Sequence, residues 1–262
     1  MHEIEKNKES WSLLSEEHYN TFKKLLADEN YKLNPFISEE LGDIKGKKVL
    51  HLQCNTGADS ILLARKGAIV TGVDLVPDNI KFARQLAEDF QEKNVSFVVS
   101  DIMELMENHE GKYDIVFTSE GAIGWLPDLE KWGKTIRFFL KEEGYFYLHD
   151  SHPTFLIFDE EELKNGKIVI KYPYFKEEVE KEEYIGGYAS DSKPAEAYYW
   201  SYKMSDIVNA LSKAGIYIEY MKEYDKCSPG MGGSKKGEDG FAYYPEFKEH
   251  FPIMLSIKAI IK

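Results

Sequence analysis

The chain holds 262 residues, 43% hydrophobic, 30% charged and 14% aromatic, a globular profile that is neither disordered nor collagen-like. Its 46 acidic against 33 basic residues leave a net charge of −13 with no lysine- or arginine-rich block, which argues against salt-driven binding to nucleic-acid phosphates. Cys54 and Cys227 are too few for a disulfide framework or a cysteine-based zinc site. No apolar run is long enough for a membrane span, and Met1 to Lys6 lacks the basic-then-apolar order of a signal peptide, so a soluble protein of a reducing cytosol is expected.

Residues 1–44 read as helical, with Trp11, Leu14, His18 and Phe22 near helical spacing and a break at Asn34-Pro35. From Lys47 short apolar runs alternate with helical stretches. Strands are expected at Val49 to Leu52, Ala68 to Val73, Val95 to Val99, Tyr113 to Phe117 and Tyr145 to Leu148. Helices are expected from Ile61 to Lys66 and from Pro77 onward. Such alternation implies right-handed crossovers and a parallel sheet covered on both faces.

After His149 the alternation stops. Residues 154–203 carry acidic runs (Asp159 to Glu162, Glu177 to Glu183) and β-prone stretches (Ile168 to Phe175, Tyr198 to Tyr202), read as an insertion of antiparallel strands. A helix around Ile207 to Ala214 and strands at Ile216 to Tyr224 and Ile253 to Ile261 close the chain. The glycine-rich loop between those strands is long enough to be functional or mobile.

In an open parallel sheet, ligands bind beyond the carboxyl ends of the strands. Those ends carry Gln53-Cys54-Asn55-Thr56-Gly57, Asp74, Asp101, Ser119-Glu120-Gly121 and His149-Asp150-Ser151-His152. A nucleoside explains the set. Asp74 can accept from two ribose hydroxyls and Asp101 from an adenine amino group. The tight turn at Asn55 to Gly57 offers backbone N–H groups, and the following helix start favours an anionic end. Neither G-x-G-x-x-G nor G-x-x-x-x-G-K-[ST] occurs.

These residues resemble the class I S-adenosylmethionine-dependent methyltransferases. Val49-Leu-His-Leu-Gln-Cys-Asn-Thr-Gly57 is similar in spacing to that family's V-L-D-I-G-C-G-T-G, Gly72-Val-Asp74 to its ribose-binding acidic end, and Ser100-Asp101-Ile102 to its adenine-binding one. Tyr113 to Ser119 and Leu140 to Tyr145 resemble its fourth strand and the turn into its fifth. The likeness covers residues 46–150 closely and the last two strands more loosely. A narrower bacterial group shares His51-Leu-Gln-Cys54, Asn7-x-x-Ser-Trp11, Gly124 to Leu129 and an element like Ser205 to Glu223.

The resemblance implies a doubly wound, mostly parallel seven-stranded α/β sheet (Rossmann-like), with N-terminal helices and an antiparallel β insertion after strand five. As one methyltransferase domain, the chain divides into a helical lid (1–44), a cofactor-binding core (45–153), a substrate-side insertion (154–203) and the rest of the core (204–262). S-adenosylmethionine, with S-adenosylhomocysteine as product, is expected at Gln53, Cys54, Asn55, Gly57, Asp74, Leu75, Asp101, Ile102 and Ser119, with Trp11 and Tyr19 over it.

The acceptor is expected to be a small molecule, with His152 or His149 as base where one is needed; no metal, nucleic acid or membrane is expected. The sequence departs from the family at Gln53 and Asn55, which stand where it has glycines, and at Val76, which stands where a Ser or Thr cap is usual. The altered turn motivates a second reading, a non-catalytic cofactor-binding or interaction module. A nicotinamide-dependent oxidoreductase is a weaker third.

Overall fold

The computed structural model describes residues 2–176, 178–187 and 189–262. Three helices come first: α1 (His2–Ser12), α2 (Ser15–Leu26) and α3 (Pro35–Leu41). In α2, His18, Phe22 and Leu26 recur every four residues and all are buried. The Asn34 side chain caps α3 by accepting the Phe36 N–H, and Pro35 fills the first turn, where no N–H is required.

Strands and helices then alternate as β1 (Lys48–Leu52), α4 (Ala58–Arg65), β2 (Ile69–Asp74), α5 (Pro77–Asp89), β3 (Val95–Val99), α6 (Leu105–Asn108), β4 (Tyr113–Ser119), α7 (Leu129–Phe139) and β5 (Leu140–Ser151). Next come α8 (Glu160–Lys164), β6 (Glu180–Gly187), β7 (Ser190–Tyr199), α9 (Met204–Lys213), β8 (Ile216–Tyr224), β9 (Lys235–Lys236), β10 (Ala242–Tyr243) and β11 (Met254–Ile261).

Seven strands form one sheet in the order β3-β2-β1-β4-β5-β11-β8. β11 is antiparallel to both β5 and β8, and all other neighbours pair in parallel. The sheet is therefore the doubly wound, mostly parallel one expected. Its order reverses between β1 and β4, which opens a crevice at their carboxyl ends. Alternate residues serve opposite faces. Leu50, Leu52, Val116 and Leu148 pack under α7 and α9 with Trp132, Ile136 and Leu211, whereas Val49, Ile115, Phe117 and Tyr147 pack under α3 and α4 with Ile37 and Ile61. Each such buried side chain contributes about 1.5–3 kcal/mol.

The insertion differs from expectation in its parts. β6 and β7 form a separate antiparallel hairpin, and the acidic run that begins at Glu177, itself outside the described residues, supplies the first half of β6. Ile168 to Phe175, expected as a strand, makes one bridge from Ile170 to Phe158. Its apolar side chains have no sheet to pack on, and Phe175 is 80% exposed. Only Tyr198 and Tyr199 of the aromatic run belong to β7; Trp200 donates its N–H to Gly124 O and Tyr202 its hydroxyl to Leu126 O. Gly124 permits this approach, because a Cβ there would overlap the Tyr199 ring. Among the described residues no helix is long and apolar enough to cross a membrane.

Candidate functional site

A cavity of about 590 Å3 opens at the carboxyl ends of β1, β2 and β4, within the range usual for small-molecule sites. One end is built by the turn from β1 to α4. Gln53 and Asn55, which stand where the resembled family has glycines, adopt glycine's left-handed backbone at φ 56° and 50°, and Gly57 follows at 80°. Asn bears this conformation better than most residues, and here its Oδ1 accepts the Thr56 N–H at 2.6 Å. At Gly57 a Cβ would stand 2.6 Å from the Phe97 ring, so this position needs glycine for space as well as for φ.

Asp74, at the end of β2, ties the turn together. Its Oδ2 accepts the Asn55 N–H at 2.8 Å, and its Oδ1 accepts the Val76 N–H at 2.9 Å and Asn79 Nδ2 at 3.1 Å. A carboxylate has about four acceptor sites, so roughly one, on Oδ2, remains for a ligand. Burial raises its pKa, and the same three bonds oppose the rise. Asp74 thereby organises the start of α5, which has no capping side chain from Val76. Asp101 uses Oδ1 on the Met103 N–H at 2.8 Å and keeps Oδ2 clear of the described hydrogen bonds. Gln53 donates Nε2 to Ala122 O at 2.8 Å, whereas its Oε1 is buried without a partner. The cavity is lined by Gln53, Cys54, Asn55, Gly57, Asp74, Leu75, Asp101, Ile102, Ser119 and Trp11, which brings together ten of the thirteen expected site residues.

The other three lie elsewhere. Tyr19 stacks on Phe82 and donates its hydroxyl to Asp89 at 2.7 Å, fastening α2 to α5. His152 accepts the Thr154 N–H on Nδ1 and faces Glu223 across 3.0 Å with Nε2, so both ring nitrogens are engaged away from the cavity. His149 is fully buried between Phe36 and Tyr224, and burial pushes its pKa down to about 4. The expected base is therefore not at the cavity in either histidine.

What the His149-Asp150 pair does is hold the loop after β4. The His149 carbonyl accepts the Glu120 N–H at 2.7 Å. The Asp150 carboxylate accepts the N–H groups of Gly121 (2.6 Å), Ala122 (3.0 Å) and Ile123 (2.9 Å). A sequence reading could find this loop at the strand's end, but not what it presents. Glu120 lines the cavity at φ 45°, a conformation that costs a non-glycine residue about 1–3 kcal/mol. Its Oε1 accepts Asn34 Nδ2 at 2.9 Å and Ser228 Oγ at 2.6 Å. Burial first, then the nearby Asp59 carboxylate, push its pKa up to about 7. Asp59 also lines the cavity, accepts Ser119 Oγ at 2.9 Å and is itself raised by burial. Next to it His51 bonds Ser60 at 2.8 Å and is held neutral, its pKa pushed down to about 3 by burial.

α1 covers the cavity through Ile4, Asn7, Lys8 and Trp11. Asn7 pairs with the backbone of β7 as another strand would: Nδ2 donates to Tyr198 O and Oδ1 accepts the Tyr198 N–H, both at 2.7 Å. Ser10 donates to Glu196 O at 2.7 Å, and Trp11 meets Trp125 edge-on. The insertion thus supports α1, and none of its described residues, acidic ones included, lines the cavity, in contrast to the substrate-side role expected for it. The long loop after β8 does line it, through Ser228, Pro229, Lys236, Asp239, Gly240 and Phe241.

A family model described as a methyltransferase domain matches residues 43–205, more than half of the chain. Among curated proteins, the chain is 31% identical over 121 residues to a ubiquinone biosynthesis O-methyltransferase of Acinetobacter baylyi, an alignment covering 45% of this chain and 50% of that one. The chain spans about half the length of the curated relatives it matches. Among solved structures, a protein of Listeria monocytogenes provisionally described as S-adenosylmethionine-dependent methyltransferase superposes with TM-score 0.60 at 20% identity, over 94% of this chain and 99% of that one. A structure of DhpI with S-adenosylhomocysteine gives TM-score 0.58 at 17% identity, over 99% and 97%. At such identities the structural likeness concerns the fold.

Proposed function

Because the chain belongs to the methyltransferase-domain family, we propose that it binds S-adenosylmethionine in the cavity and transfers the methyl group to a small-molecule acceptor, leaving S-adenosylhomocysteine. The observation that carries this reading is the set of unspent acceptors in the cavity: one site on Asp74, Oδ2 of Asp101, and the orphaned Oε1 of Gln53. A buried amide oxygen without a donor costs about 1–3 kcal/mol, a cost a ligand N–H would remove.

In this reading Asp74 accepts a ribose hydroxyl and Asp101 the adenine amino group, while Leu75 and Ile102 bound the adenine. Gln53 accepts from the ligand's ammonium, and the Asn55 to Gly57 turn at the start of α4 receives its carboxylate. The ligand brings a methyl group already activated on a sulfonium. What falls to the protein is alignment and exclusion of water. We assign the second task to segment 1–44 as a lid, with Trp11 against Trp125 closing the gap and Asn7 latching it to the insertion. Segments 45–153 and 204–262 supply the sheet beneath. Calorimetric titration with S-adenosylhomocysteine is expected to be saturable; no heat at millimolar ligand overturns the proposal.

A further inference from the structure

Glu120 stands where three distant parts of the chain meet. Its backbone is fixed by the His149 carbonyl, and its side chain is gripped by Asn34 from the α3 cap and Ser228 from the loop after β8. Both grips fall on Oε1, so Oε2 has no protein donor among the described residues. No lysine or arginine forms an ion pair with it there. The charged and titratable groups that face it are Asp59 on α4, Asp150 on β5, Tyr31 before α3 and Cys227 beside Ser228. Each of these is neutral when protonated and negative when ionised, so none brings a positive charge. The neighbouring cavity wall includes Trp125, Tyr31 and Phe241.

We propose that Glu120 is the base of this site, taking the proton that an oxygen or nitrogen of the acceptor sheds as it is methylated; the inference rests on the methyl-transfer reading above. The acceptor's X–H bond breaks toward Glu120, and the electron pair it frees forms the X–CH3 bond. The S–CH3 pair remains on sulfur. A protic acceptor, a carboxylate and a sulfonium thus become a methylated acceptor, a carboxylic acid and a thioether, and charge balances.

The placement explains the strain at φ 45°. A carboxylate held on one oxygen by Asn34 and Ser228 keeps the other in a fixed direction, and a strained backbone is tolerated where the surroundings over-determine it. It also narrows the acceptor class. Two carboxylates, Asp59 and Glu120, neither paired to a cation among the described residues, disfavour a preformed anion such as a carboxylate, phosphate or thiolate set directly against them, and the lysines of the cavity wall, Lys8, Lys32 and Lys236, form no ion pair with either there. A neutral hydroxyl or an amine suits them. A proton acceptor with a pKa near working pH is suited to either, and Glu120, at about 7, is close to it.

Two measurements on the full 262-residue chain test the inference. With glutamate carboxyl carbons labelled with 13C, the resonance that disappears in Glu120→Gln is expected to titrate near 7 rather than near the ordinary 4.5. A midpoint below about 5.5 overturns the proposal. In the second, labelled methyl from S-adenosylmethionine is followed into catechol, benzylamine and a metabolite extract. Glu120→Gln is expected to lower incorporation by about 10²- to 10⁴-fold and to flatten the acid limb of the pH profile. S-adenosylhomocysteine should bind the variant within about twofold of the parent.

Incorporation within about threefold of the parent overturns the role, and label in catechol or in benzylamine tells an O–H from an N–H acceptor. The carboxyl titration decides whichever probe is accepted. Failure of S-adenosylhomocysteine to bind the parent would instead remove the methyl-transfer reading itself.

Discussion

At the Asp74 end of the cavity, the wall is made by strand ends and the turns that follow them, residues 53–57, 74–75 and 101–102, each at the edge of its own strand. At the Glu120 end, the wall is made by Asn34, Glu120 and Ser228, which are 86 and 108 residues apart in sequence and meet only when the chain folds. The first end is rigid because backbone N–H groups saturate most of its carboxylate. The second has its carboxylate gripped only by side chains among the described residues, and burial there pushes its pKa up to about 7. Binding can be inherited from a fold. The proton chemistry has to be assembled on it.

Substitutions separate the two ends. The largest effect is expected at Gly57. Gly57→Ala forces a Cβ against the Phe97 ring at positive φ and should cost about 3 kcal/mol of stability, read as a lowered thermal midpoint together with loss of cofactor binding. A variant that melts and binds like the parent would show that the turn tolerates more than its geometry allows.

Asp74→Ala comes next. It removes a charged partner of three donors and a ligand contact, and should weaken S-adenosylhomocysteine roughly 100-fold by calorimetry, as hydrogen bonds to charged groups are worth about 1.5–3 kcal/mol each. Unchanged affinity would move the cofactor away from that end.

Glu120→Gln should act in the opposite direction on stability. The folded protein keeps the Glu120 proton up to about pH 7, whereas the unfolded chain releases it near 4.5, so the native state binds more protons between those values. The parent therefore loses stability as pH rises through this window, and glutamine, which keeps both Oε1 contacts without the charge, does not. A gain of about 1–2 kcal/mol at pH 8 is expected, or several degrees in thermal midpoint, fading toward pH 5. A pH-independent difference would mean that Glu120 is ionised as in water.

The smallest effect separates grip from function. Asn34→Ala and Ser228→Ala each remove a hydrogen bond to the ionised form and should raise the Glu120 midpoint by about 0.5–1 unit, with cofactor affinity unchanged. A fall in that midpoint would break the account of the acceptor end.

How far the chain could be read before its structure follows from the same contrast. The first three parallel strands lie within two residues of their expected bounds, because buried parallel strands are near-continuous apolar runs. The Asp74 end of the cavity was legible for the same reason: its residues follow those runs directly. The insertion was not. β6 is acidic because a two-stranded hairpin buries little, so composition carried no strand signal, while the apolar Ile168 to Phe175 has no partner strand to realise its propensity. Glu120 stood in plain view after β4, yet its meaning depends on Asn34 and Ser228. His149 and His152 drew attention as side chains, whereas the loop after β4 uses the backbone carbonyl of His149 and neither imidazole lines the cavity.

The Asn7 latch has a consequence for how the molecule comes to exist. Its partner at Tyr198 lies 191 residues away, and that of Ser10 lies 186 away, so neither bond can form until β7 has been made and docked. Contacts of such long sequence separation close late. During synthesis the sheet can pair through β5 while α1 rests on α5 and Trp125 and still lacks its β7 partner. Until then the roof over the crevice lacks its β7 support. Hydrogen exchange should find α1 among the first helices to lose protection, on a path separate from unfolding of the sheet.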